Sequence, residues 1–129
     1  RVHRADMRTP AILTPPFGGQ HRLFLARWLP PAAERYVRLH ENGHVICGDA
    51  DEPIILHFDG PLPEAEEVAD VFALVGLVTD DDCAQGAEYL QARIFEIAPL
   101  EDRGWQVYRV PELAPKVIRM RQLVREWLD

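Results

Sequence analysis

His40-Glu41-Asn42-Gly43-His44 matches the pattern H-E-x-x-H. On a helix, that spacing puts two imidazoles on one face to hold a zinc ion. The glutamate beside them activates the metal-bound water. The chemistry needs an unbroken helix through both histidines, so the backbone decides whether the motif is a site.

Two backbones fit residues 31–47. A helix would start with Pro31 at its first position and end on a Gly43 cap. A hairpin would turn at Asn42-Gly43, the dipeptide that best accepts the left-handed angles of a two-residue turn, between the apolar runs Tyr36–His40 and His44–Cys47. We read the hairpin. It sends His40 and His44 to opposite faces of a sheet, and the capped helix stops before His44. Both readings defeat a site at His40, Glu41 and His44, leaving a small metal-dependent hydrolase as the alternative function. A set of His40, Cys47 and His57 on a three-strand meander would span two strand spacings, about 9.6 Å, too wide for one ion.

Other chemistry is thin. Ser is absent, which removes serine nucleophiles, and no glycine-rich phosphate loop occurs. Cys47 and Cys83 form no C-x-x-C pair and have no activating histidine at a recognisable spacing. We read them as reduced thiols of a cytoplasmic protein, with a single 47–83 bridge left open. Asp80-Asp81-Asp82 points its carboxylates in different directions along a helix and is read as a cap. No cofactor is expected.

Charge is the clearest signal. Between Arg38 and Arg93 lie thirteen acidic residues and no Lys or Arg. The regions 1–38, 39–92 and 93–129 carry +5, −13 and +1, against a net charge of −7. Phosphate neutralisation needs Lys and Arg, so a direct nucleic-acid ligand is not expected. No apolar run reaches membrane-spanning length. The function expected is therefore a non-enzymatic protein-binding domain that engages a basic protein partner, as an inhibitor, immunity protein or chaperone would. The contact candidates are Asp49, Asp51, Glu52, Asp59, Glu64, Glu66, Glu67, Asp80, Asp81 and Asp82.

The elements that would position these groups suggest an α+β fold: a mainly antiparallel sheet with two or three helices on one face. Residues 1–20 read as a flexible arm, and 21–129 as one domain. Strands are expected around 23–28 and 54–58, and a hairpin over 93–97 and 105–110. Glu64 to about Leu77 reads as a helix with acids in its first turns, and Thr79 or Asp80 caps another through about Leu90. Leu113, Val117, Met120, Val124 and Trp127 alternate at spacings of four and three. They mark an amphipathic C-terminal helix, either docked on the domain or joining two copies through 112–128 as a structural or oligomerisation module.

Overall fold

The computed structural model describes residues 2–16, 18–48, 54–55, 64–100 and 105–128. It is α+β, as expected, with four strands and five α-helices in these segments. The strands are β1 (Val2–Ala5), β2 (Ala11–Leu13), β3 (Leu23–Ala26) and β4 (Ile54–Ile55). The helices are α1 (Pro31–Cys47), α2 (Glu64–Leu77), α3 (Asp80–Ala84), α4 (Ala87–Ile97) and α5 (Val110–Leu128).

The sheet order is β1-β3-β2-β4. β2 runs antiparallel to β3 and β4, while β1 runs parallel to β3. The sheet is thus small and mixed, not mainly antiparallel. Two of its strands come from residues 1–20, the segment expected to be an arm. Alternation explains their place. Ala11 and Leu13 share a face with Leu23 and Leu25, and all four are buried. On the opposite face His3 stacks on Phe24, with centroids 5.1 Å apart.

The expected hairpin at Asn42-Gly43 is corrected by the structure. Residues 31–47 form one helix, which begins at Pro31 and runs through Asn42-Gly43 to a cap at Gly48, where φ is +73°. Local turn preference loses to packing. A Cβ on Gly43 would lie 3.2 Å from the Ala69 Cα and 3.2 Å from the Phe72 ring. Glycine stands there because α1 and α2 pass too close for a side chain.

The helix expected from Thr79 to Leu90 is divided in two. Thr79 caps α3 in a reciprocal capping box with Asp82, α3 ends at Ala84, and Gly86 opens α4. The hairpin expected over 93–97 and 105–110 is absent. Residues 93–97 belong to α4, and Trp105–Arg109 make one wide π-helical turn leading into α5. Apolar spacing in short runs fits either state, and here long-range packing chose the helix. Among the described residues, strand pairing at β4 covers 54–55. Residues 56–58 of that expectation lie outside the described segments.

The core sits between the sheet and the helices. Its largest fully buried side chains include Trp105, Tyr36, Leu25, Leu74, Leu90 and Ile94. Tyr36 and Trp105 meet edge to face, with centroids 5.0 Å apart. The first half of α5 closes this core through Val110, Leu113, Ala114 and Val117. No helix among the described residues is long and apolar enough to cross a membrane.

Candidate metal centre

The helical course of α1 places His40 and His44 one turn apart on one face. Both are buried. The close approach at Gly43 lets α2 present its own pair at the same spacing, Glu66 and Asp70, to that face. The His40 and His44 Nε2 atoms stand 3.2 Å apart. Glu66 bridges them, with Oε2 2.8 Å from His40 Nε2 and Oε1 3.2 Å from His44 Nε2. One ligand atom from each of these three side chains falls within a 4.8 Å cluster. Two ligands each bonded to zinc at about 2.05 Å in tetrahedral geometry lie about 3.3 Å apart. The nitrogen–nitrogen spacing fits that value.

Behind His40 lies a fixed hydrogen-bonded chain. The His40 Nδ1–H donates to Asp70 Oδ1 at 2.8 Å. The Tyr36 hydroxyl donates to the same oxygen. In the metal-free protein the Nε2–H donates to Glu66 Oε2 at 2.8 Å, so the ring is held between two carboxylates, and loss of that proton would turn the Nε2 lone pair toward His44 and Glu66. Burial, and next the Asp70 carboxylate, push the Tyr36 hydroxyl well above its ordinary value. It therefore remains a donor.

Charge is concentrated here. Burial by itself would lower His40, but hydrogen bonds to Asp70 and Glu66 and the nearby carboxylate charges raise it from 6.5 to about 10. Burial pushes Glu66 up, and the hydrogen bonds and charges of His40 and His44 outweigh it, holding the carboxyl well below its ordinary range. Burial raises Glu41 from 4.5 to about 7, with His40 and His44 acting against it. Both Glu41 carboxylate oxygens are buried without a hydrogen-bond partner. Such an atom ordinarily costs ~1–3 kcal/mol, a cost that suits a group held ready for chemistry. Glu41 also borders a cleft of about 130 Å³ between α1 and the sheet, floored by Val2, Leu13, Leu23 and Val45, with Arg38 beside it.

Among the described residues, the acidic contact candidates fall into two groups at opposite ends of α2. Asp49, Asp51, Glu52 and Asp59, like His57, lie outside the described residues. Glu64 and Asp81 are exposed. Glu66 belongs to the histidine cluster, and Glu67 pairs with Lys116. Asp80 binds Arg121 at 2.8 Å. Asp82 is buried in its capping box and lies 3.5 Å from Arg93. Glu64, Glu66 and Glu67 begin α2, whereas Asp80–Asp82 follow its far end, about 20 Å away at helical rise.

Asp70 and Tyr36 were not among the sequence candidates. The legible signal was the Glu66/Asp70 pair at i and i+4, matching the spacing of His40 and His44. The three-stranded meander with His40, Cys47 and His57 does not form, since His40 and Cys47 share α1. Both cysteines are free thiols.

No family model, curated protein or solved structure matches this chain.

Proposed function

We propose that this protein is a small metal-dependent hydrolase with zinc as its preferred ion. The observation that carries the reading is the convergence of His40 Nε2, His44 Nε2 and the Glu66 carboxylate, beside a buried Glu41 that has no hydrogen-bond partner. Two neutral imidazoles and one carboxylate suit zinc, and three protein ligands leave a fourth position for water.

His40, His44 and Glu66 would hold the ion. Bound there, it would polarise a carbonyl and acidify its water. Glu41 would take the proton from that water. A carboxyl raised to about 7 is matched to proton transfer near neutral pH. Asp70, backed by Tyr36, fixes the ring orientation and proton position of His40. Of the residues assigned roles here, Glu41 also lines the cleft against the sheet, whereas His40, His44 and Glu66 do not. H-E-x-x-H on a helix points to amide substrates.

The test is cleavage of a mixed peptide library by zinc-loaded protein, read by mass spectrometry. Cleavage that is lost in Glu41→Gln while zinc is retained supports the reading. Activity that is unchanged in Glu41→Gln refutes the assigned base, and absence of zinc binding removes the whole proposal. A basic-partner docking role, the reading expected from composition, would rest on Glu64, Asp81 and the acids outside the described segments.

A further inference from the structure

Away from the histidine cluster, α2 and α5 enclose an apolar groove of about 860 Å³. The α2 wall carries Val68, Val71, Phe72 and Val75, at the i, i+3, i+4, i+7 spacing of a helix-packing stripe. The outer half of α5 repeats the pattern with Met120, Leu123, Val124 and Trp127. This second stripe is uncovered: Met120 is 43 % exposed, Val124 41 % and Trp127 93 %. The helix docks through Val117 and then projects beyond the core. Patches of this kind on folded proteins mark docking surfaces.

The charges around the groove indicate what covers it. Glu64 and Glu67 mark one end, where Lys116 of α5 pairs with Glu67. The exposed half of α5 is basic, carrying Arg119 and Arg125, while Arg121 is committed to Asp80 and the Val75 carbonyl. The groove therefore calls for an apolar helix with basic flanks, and the chain carries such a helix itself. We propose that the α2/α5 face is a two-fold homodimer interface, in which the outer half of each α5 lies in the groove of a second copy.

An antiparallel two-fold axis near Met120 sets the register. Each residue beyond it then faces the residue equally far before it. Arg125, about 7.5 Å along the helix from the axis, faces the level of Pro115, where the partner's groove presents Glu64 and Glu67. Trp127, seven residues beyond the axis, faces the level of Leu113, just past the Glu64 end of the groove, a suitable place for an interface anchor. α2 and α5 of the two copies then form a four-helix layer, and the same patch serves both copies. Glu66 and Asp70 occupy the opposite side of α2, so assembly does not depend on the metal reading.

Sedimentation velocity across a wide concentration range tests this on the intact chain. The mass should rise from 14.7 kDa toward twice that value. Arg125→Glu and Glu64→Arg should each weaken the dimer about a hundredfold, because two-fold symmetry loses the charge pair twice and each loss is worth about tenfold. The double swap should restore it. Met120→Glu should give a monomer with an unchanged circular-dichroism spectrum. A monomer at every concentration overturns the proposal, including one in which a different protein occupies the groove. A dimer indifferent to Met120→Glu, or a double swap no tighter than the single swaps, overturns it as well.

Discussion

Gly43 and Ala69 form the contact on which the site depends. A methyl on Gly43 would stand 3.2 Å from the Ala69 Cα. Through this approach, Glu66 and Asp70 of α2 reach two histidines of α1.

Gly43→Ala tests that contact. Alanine favours a helix interior by about 1 kcal/mol, but overpacking costs about 1–3 kcal/mol. We expect a net loss of up to about 2 kcal/mol in urea unfolding. Separating the helices should also draw Glu66 away from the imidazoles, weakening zinc binding at least about tenfold by competition with a chelator. A fully stable variant with unaltered zinc affinity would show that the close approach is not what assembles the cluster.

Glu41→Gln separates chemistry from stability. In metal-free protein the folded pKa of Glu41 is raised from 4.5 to about 7. The folded state holds the proton more tightly across that window, so the stability linked to Glu41 is full below pH 4.5 and lost as pH climbs toward 7. His40, raised from 6.5 to about 10, gives stability that is full below 6.5 and lost on the way to 10. Glu66 behaves oppositely, losing its contribution as pH falls below 4.5. The melting temperature of metal-free protein should thus peak near pH 4.5 to 5 and decline through 10. Glu41→Gln should flatten the 4.5–7 decline and be more stable than wild type at pH 8, while losing hydrolysis.

Asp70 and Tyr36 act through His40. Asp70→Asn keeps an acceptor for Nδ1–H but removes its charge, and should weaken zinc binding by about 10- to 100-fold. Tyr36→Phe should cost about 1–2 kcal/mol, because Asp70 loses a buried donor, with a smaller effect on zinc. Calorimetric titration with zinc, alongside thermal unfolding, reads both. Equal zinc affinity in Asp70→Asn and wild type would remove the positioning role.

Much of the fold was legible in the sequence. Acids in the first turns located α2 at Glu64–Leu77, Thr79 signalled the cap of α3, and the stripe from Leu113 onward located α5. The site was hidden by one dipeptide. Asn42-Gly43 carries a strong turn signal, and the competing cause, a contact with Ala69 twenty-six positions away, has no local trace. Pairing Glu66 with His40 likewise depends on tertiary approach. An acid in a first helical turn is already explained by the helix dipole, so its role as a ligand went unread. Residues 93–97 and 105–110 misled for a different reason: short apolar runs do not choose between strand and helix until their neighbours do.

Zinc binding should compete with protons, because His40 must give up the proton on Nε2 to bind the ion. Affinity should therefore rise with pH, and loading should release protons into a weakly buffered solution. Zinc affinity flat between pH 5 and 9 would contradict the involvement of His40, whose folded pKa is about 10 in the metal-free state.

X-ray absorption spectroscopy of the zinc-loaded protein tests the central claim most directly. We expect one equivalent of zinc in a four-coordinate N/O shell with two imidazoles at about 2.0–2.1 Å. One imidazole should vanish in His44→Ala, and one oxygen ligand in Glu66→Ala. A sulfur ligand, a shell unchanged in those variants, or no bound zinc at all would contradict the assignment of His40, His44 and Glu66 as a metal centre.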